Sequence, residues 1–202
     1  MTIRYGARAG IALMCLLSAC ASPNSRFYTL DPLPPMPGMP LARPMGTTLA
    51  EGTPITVGVV RLPDALDRLE VMRRLGPNRL EVEDFDRWAA SLDQLTRHAL
   101  AQDLAQRLWP GAVAMPDDPA LPPRTRLLTL DVTRFEGDES GTVFLDARWT
   151  LMDGKTVQVS RLVSVRIKGS GPGIDGLVAG MSEALARLSD QISNVLINSP
   201  FA

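Results

Sequence analysis

Alternating apolar residues between Val143 and Leu151 limit the folds open to this chain more than any other feature. The apolar residues take every second position, and Asp146, Arg148 and Thr150 stand between them. Such a period of two predicts a strand with one buried and one wetter face, typical of an antiparallel sheet. Asp153-Gly154 then precedes a second β-branched run, Val157 to Ile167, and Asp-Gly is a strong hairpin turn.

Further strands are predicted on both sides of this hairpin. The segment Ile55 to Val60 is β-branched and lies between prolines, and Leu128 to Val132 alternates with polar residues. Gly76 to Arg79 has the composition of a turn and joins two more strand-like segments, Leu69 to Leu75 and Leu80 to Glu83.

Two segments carry a helical period instead. From Arg87 to Trp109, apolar residues recur three and four positions apart, and Pro110-Gly111 ends the pattern. A second such segment runs from about Ile174 to Ile197. Amphipathic helices combined with one-sided strands predict an α+β fold with two layers. We expect a mainly antiparallel or mixed sheet with both helices on one face.

The start of the chain has the layout of a bacterial lipoprotein leader. Arg4 and Arg8 precede a short apolar run, which ends in Leu17-Ser18-Ala19-Cys20. Small residues directly before a cysteine resemble the lipobox, in which the cysteine becomes the acylated first residue. We therefore expect a signal peptide at 1–19 and diacylglycerol and an N-acyl chain on Cys20, with no other cofactor. An ordinary signal peptide with an incidental cysteine is the alternative.

The mature chain is expected to hold a tether at 20–26 and one domain at 27–202. A proline-rich stretch at 32–54 is expected to be a loop within that domain, because Phe27 to Leu30 has the composition of a strand. The net charge of −1 offers no basic excess for nucleic acid. Ala21, where inner-membrane lipoproteins commonly carry Asp, favours the outer membrane, facing the periplasm.

Fragments that resemble catalytic motifs lack the context their chemistry needs. Gly154-Lys155-Thr156 is not followed by the helix of a phosphate-binding loop, and Gly169 to Gly173 holds a proline within the would-be nucleotide cradle. The single histidine, His98, has no nucleophile motif beside it and no second histidine as zinc partner. The acids between Glu81 and Asp86 could supply a carboxylate pair for acid–base chemistry, but they are interpreted as a solvated strand face that also favours the start of the next helix. We expect a protein without enzymatic activity.

The order of several short segments resembles one lipoprotein family. The segments are Phe27-Tyr28-Thr29-Leu30, Leu62-Pro63, Leu66-Asp67-Arg68, Val71-Met72-Arg73, Asp86-Arg87-Trp88-Ala89 and Arg134-Phe135-Glu136. Together with the lipobox, they are similar to the ABC-type transport auxiliary lipoproteins, the PqiC-like proteins, over nearly the whole mature chain.

The resemblance implies a non-enzymatic subunit of a lipid transport system. Its partners would be a periplasmic protein with MCE (mammalian cell entry) domains and the associated ABC transporter. The membrane would be contacted through the lipid anchor, and a ring of protomers is one arrangement of the docked state. Two other classes stay open: a lipoprotein cofactor of a cell-wall synthase, and a shuttle that holds lipid in its own cavity.

Candidate partner contacts lie mainly on the connection that follows the strand Ile55 to Val60, because loops on a rigid scaffold commonly carry contacts. A connection whose leucines close the core is the competing interpretation, and a core position is favoured for Trp88. The candidates are Leu62, Pro63, Leu66, Arg68, Arg73 and Trp88.

Overall fold

One mixed sheet with two helices on one face forms the described part of the molecule. The computed structural model describes residues 24–37, 53–120, 122–169 and 171–198. The strands are β1 (Arg26–Tyr28), β2 (Ile55–Arg61), β3 (Glu70–Gly76), β4 (Arg79–Trp88), β5 (Val113–Ala114), β6 (Arg126–Asp138), β7 (Thr142–Asp153) and β8 (Thr156–Lys168); the helices are α1 (Leu92–Arg107) and α2 (Gly173–Asn198). The predicted α+β class, with both helices on one face, is confirmed. Cys20 lies outside the described residues.

The three long strands β6, β7 and β8 form an antiparallel ladder at one side of the sheet. The predicted hairpin joins β7 to β8, with Gly154 at a φ of +58°, which glycine adopts without strain. Along β7, the alternating residues from Val143 to Leu151 point toward the helices and are almost fully buried. The period of two therefore reports the buried face correctly.

The other edge of β6 is shared by two strands placed end to end. Its first half pairs in parallel with β2, and its last residues, Gly137 and Asp138, pair in parallel with β3. The sheet is thus forked: β5 extends the β2 branch, whereas β4 and then β1 extend the β3 branch. The chain must cross from one branch to the other between Arg61 and Glu70.

The helices cover one face of the sheet, and their apolar sides form the core with the strands. Trp149, Phe135 and Leu128 are among the largest side chains that are fully buried there. Small residues let α2 approach closely: a Cβ at Gly180 would lie 2.8 Å from a Val143 methyl group. The face of the sheet opposite α1 and α2 is called the helix-free face below.

The first helix begins later than its apolar period predicts. Residues 87 and 88 belong to β4, whose end pairs in parallel with β1, while α1 starts at Leu92. The amide of Trp88 also donates to the carbonyl of Leu69, the residue before β3, at 2.6 Å, so this amide has a partner outside the helix. Trp88 is 3% exposed. Strand and helix both turn apolar residues toward the same core, which makes the spacing continuous across their junction.

A buried ion cluster joins the two helices to the residues that follow β1. The Arg107 guanidinium lies between two carboxylates, 2.6 Å from Asp190 and 3.4 Å from Asp103. It also donates to the carbonyl of Leu33 at 3.0 Å, and the Leu33 amide donates to Asp103 at 2.8 Å. This extended segment is thereby fixed across the ends of the helix pair.

Candidate docking groove

A groove opens on the helix-free face where the chain crosses from β2 to β3. The crossing includes a short 3₁₀ turn, Asp64–Leu66, in which Leu66 is 5% exposed and anchors the connection on the core. Pro63 and Ala65 remain closer to the surface and form one wall. A rigid connection with a buried anchor holds that wall in place.

The opposite wall comes from the β3–β4 hairpin, and the floor from β6. Together they enclose a volume of about 440 Å³, open to solvent. A second cavity of about 350 Å³ shares Arg74, Pro77 and Arg134 with the first and continues toward Asp138 and Ser140. The two form one groove beside the turn of the hairpin, which we call the docking groove.

An ionic network lies on the floor of the docking groove. Arg74 donates to both oxygens of Glu136, whose side chain is only 5% exposed, and Arg134 donates to the same carboxylate at 2.9 Å. The hydrogen bond to Glu136 raises the pKa of Arg74. Arg74 also donates to the carbonyl of Pro77 at 3.0 Å, which ties the network to the hairpin turn.

An aromatic ring extends the network along the sheet. The Arg134 guanidinium lies 3.8 Å from the centre of the Phe144 ring, and that of Arg166 lies 5.3 Å from it. Both distances permit cation–π attraction. Two arginines therefore share the Glu136 carboxylate, and a third lies over the same aromatic ring, so this part of the groove favours an acidic partner segment. Asp138 and Glu139 make the far end acidic.

The structure divides the predicted contact residues between the two faces of the sheet. Pro63 and Leu66 line the docking groove, and Leu62 precedes them as a half-buried residue packed on the core. Arg68 is exposed beyond the crossing, with its Nε 3.3 Å from Glu70. These four lie along one connection, as the sequence analysis placed them.

The other two predicted contacts do not line the docking groove. Arg73 shares a cavity with Leu177 of α2 and forms ion pairs of 2.9 Å with Glu81 and Glu83. Trp88 is buried in the core. Their proposed contact roles stay predictions without support from the groove geometry.

From the sequence alone, the floor of the groove has no predicted site role. Arg134 and Glu136 appear there only as markers of the family resemblance, although charges at alternate positions of a strand indicate a polar face. Their meeting with Arg74 depends on the β3–β6 pairing, across 62 residues of sequence for Glu136.

The side chains considered for catalysis have structural partners. His98 Nε2 lies 2.6 Å from Asp117 near the surface, and Asp86 pairs with Arg26 at 2.7 Å. Within the described residues, no three acidic, histidine or cysteine side chains gather as metal ligands would. In the same part of the chain, neither helix is long and apolar enough to cross a membrane.

A comparison with protein families identifies the relatives of this fold. The family described as ABC-type transport auxiliary lipoprotein component matches residues 28–193. The chain belongs to this family. It is therefore an auxiliary lipoprotein of ABC-type transport, lipid-anchored and associated with the cell envelope.

Solved structures share the fold of this auxiliary lipoprotein. One is an uncharacterized protein, 21% identical, with a TM-score of 0.68 over 85% of this chain and 98% of that one. Another is a Xanthomonas campestris protein of the DUF330 family, 18% identical, with a TM-score of 0.63 over 85% and 95% of the two chains. A comparison with curated proteins finds no match.

Proposed function

We propose that this auxiliary lipoprotein is a non-enzymatic docking subunit of an MCE-type lipid transport system. It would be anchored through Cys20 to the outer membrane and face the periplasm. The family match over residues 28–193 carries the proposal, because it associates the chain with ABC-type transport. The lipobox at Leu17 to Cys20 supports the anchor, and Ala21 supports the choice of membrane.

The docking groove is the surface proposed to bind the periplasmic MCE-domain protein. Its wall and floor are held by a buried anchor, Leu66, and by the ion pairs of Glu136, so it is formed before a partner arrives. A preformed groove spares the partner complex the cost of ordering a loop. Its arginine-rich end fits an acidic segment of the partner.

The packing of the core favours docking over lipid carriage. Trp149, Phe135 and Leu145 are at most 2% exposed and fill the space between sheet and helices. The docking groove itself carries charged side chains, which acyl chains would have to desolvate. A shuttle would instead hold lipid in a largely apolar cavity.

Crosslinked co-purification from cell envelopes tests the docking role. The native protein would be compared with Cys20→Ala, which removes the anchor, and with Ala65→Trp, which fills the docking groove. Ala105→Trp is the matched control, since Ala105 is exposed on α1 and away from the groove. We expect the native chain and Ala105→Trp to recover an MCE-domain protein, and Ala65→Trp to recover several-fold less.

The other outcomes separate the alternatives. Equal recovery by Ala65→Trp and Ala105→Trp would move the docking site elsewhere on the molecule. Recovery of a cell-wall synthase without any MCE-domain protein would replace the transport role by the cofactor role. Phospholipid that co-purifies in stoichiometric amount with the isolated domain would favour the shuttle.

A further inference from the structure

Two exposed phenylalanines distinguish the β1 edge of the sheet. Phe27 on β1 is 68% exposed, and Phe85 on β4 is 46% exposed. Aromatic side chains of this size gain from leaving water, so two of them close together on a surface mark a contact. From the sequence alone, Phe85 has no role, and Phe27 is only a strand residue and part of a segment that marks the family resemblance.

Strand register places the Phe27 ring on the helix-free face, because Phe27 is the partner of Arg87. Phe85 lies two residues before Arg87, in the stretch where the β3–β4 pairing shifts from Val71–Glu83 to Glu70–Arg87. Its exposure next to the buried Asp86 places Phe85 beside Phe27 at the surface. Asp86 and Trp88, between and beyond them, are buried on the other face. We call Phe27 and Phe85, with Arg87, the aromatic edge.

The charges around the aromatic edge are largely compensated. Arg87 lies 3.2 Å from Glu70, and Arg26 lies 2.7 Å from Asp86. Arg68 also pairs with Glu70. Because these cations already have acidic partners, the aromatic edge is suited to an apolar or neutral contact more than to a strongly acidic one.

The distance along the chain from the expected anchor limits what can lie against this edge. Arg26, the first residue of β1, is six residues after Cys20. Even a fully extended tether therefore places the start of β1 within about 20 Å of the acylated residue. Phe27 follows directly, and Phe85 is on the neighbouring strand. The aromatic edge is thus held close to the bilayer surface.

We propose that the aromatic edge rests on the bilayer, with Phe27 and Phe85 in the headgroup region and the domain oriented by this contact. The inference rests on the acylation of Cys20 in the proposed function. Acyl chains supply the attachment, and the two rings fix which side of the domain faces the membrane. An interfacial apolar contact of this kind needs no anionic lipid.

A second exposed apolar residue provides the control. Leu162 on β8 is 73% exposed, more than either phenylalanine. Strands β4, β3, β6 and β7 separate β8 from β1, so the two edge strands are about 24 Å apart at the usual spacing between strands. The neighbour of Leu162 on β7 is the exposed Arg148. If exposure alone decided membrane contact, Leu162 would contact the bilayer more than Phe85 does. The proposal predicts the opposite order.

Fluorescence quenching in proteoliposomes tests the orientation. The acylated protein, with Cys20 blocked by lipid, would carry one engineered cysteine, Phe85→Cys or Leu162→Cys, labelled with an environment-sensitive dye. The vesicles would be phosphatidylcholine containing a nitroxide lipid, and iodide would report exposure to water. We expect several-fold stronger nitroxide quenching at position 85 than at 162, and the reverse order for iodide.

Each other result has a defined meaning. Labelling of Cys20 itself, or failure of the protein to float with vesicles, would overturn the acylation on which the proposal rests. Floating protein with equal nitroxide quenching at 85 and 162 would overturn the orientation alone. A dye at 85 shielded from both quenchers would indicate a protein contact there, and would also overturn it.

Hydroxyl-radical footprinting of the unsubstituted chain guards against disturbance of β4 by the label. On vesicles, oxidation of Phe27 and Phe85 is expected to fall several-fold relative to the unacylated Cys20→Ser protein, with Leu162 unchanged. Equal oxidation of Phe85 in both samples would contradict the proposal independently of any engineered cysteine.

Discussion

Two arginine–carboxylate clusters of this molecule have opposite compositions. Between the helices, one arginine, Arg107, serves two carboxylates, Asp103 and Asp190, and all three are nearly inaccessible to solvent. In the docking groove, two arginines, Arg74 and Arg134, serve one carboxylate, Glu136, and the arginines are partly exposed. The buried cluster is anion-rich and the groove cluster is cation-rich.

The difference separates an architectural role from a binding role. Arg107 of the buried cluster donates its hydrogen bonds to Asp190, Asp103 and the Leu33 carbonyl, so its guanidinium is not available to a partner protein. The groove cluster leaves guanidinium surface open beside Phe144. Solvent access, rather than the number of ion pairs, determines which cluster is available for recognition.

The largest expected effect is that of breaking the buried cluster. Arg107→Met leaves two buried carboxylates without their cation and removes the link to Leu33, so the free energy of unfolding should fall by about 3–5 kcal/mol. Urea denaturation followed by tryptophan fluorescence measures the change. A loss below about 1 kcal/mol would show that water replaces the guanidinium and that the cluster is not architectural.

The buried cluster should also impose a pH dependence. Burial raises the pKa of Asp103 from 3.8 to about 6, aided by the nearby charge of Asp190. Between these values the folded chain holds a proton that the unfolded chain has lost. Stability therefore falls as pH rises from about 4 to about 6, by as much as about 3 kcal/mol, and is unaffected by this group above that range.

Asp103→Asn tests this dependence, because it keeps an acceptor for the Leu33 amide but cannot ionise. The difference in unfolding free energy between the native chain and the variant should change across pH 4 to 6, with the native chain losing stability relative to the variant. The exposed Asp84→Asn provides the control. A difference that stays constant with pH would rule out the shifted titration.

Breaking the groove cluster should lower the free energy of unfolding by less than breaking the buried cluster. Arg74→Met removes a charged hydrogen-bonding partner of Glu136 and the link to Pro77, so the free energy of unfolding should fall by about 1.5–3 kcal/mol. The lower end is expected, because Arg134 still donates to Glu136. Urea denaturation again provides the measurement. A loss equal to that of Arg107→Met would remove the distinction between the two clusters.

The smallest effect is expected at a surface pair. Arg187 and Glu183 form a 3.2 Å pair one turn apart on α2, each with about a third of its side chain exposed. Arg187→Met should change the unfolding free energy by about 0.3–0.5 kcal/mol, because water screens the pair. Arg187→Met and Arg107→Met both replace arginine by methionine. The difference between their effects therefore reports the effect of burial, separately from that of losing an arginine.

The elements that the sequence predicts correctly are those with local signals. The Asp153-Gly154 turn and the alternation from Val143 to Leu151 gave the β7–β8 hairpin, because a turn and its flanking strands are adjacent in sequence. The helical period misplaced Trp88, since a buried strand end and a helix supplied one continuous apolar pattern. The fork at β6 had no local sequence signal, because no residue pattern within a strand specifies which distant strand its backbone pairs with.

The same division holds for the docking groove and for the aromatic edge. Sequence alone placed Pro63 and Leu66 on a connection with candidate contacts, and gave the lipobox, the helix-on-sheet class and the family resemblance. Only the tertiary structure brought Arg74 to Glu136 and Phe27 beside Phe85. Periodicity indicates which side of a helix or strand is buried. The residues that become neighbours on its solvent-exposed side depend on strand order and register, which long-range hydrogen bonds and packing determine.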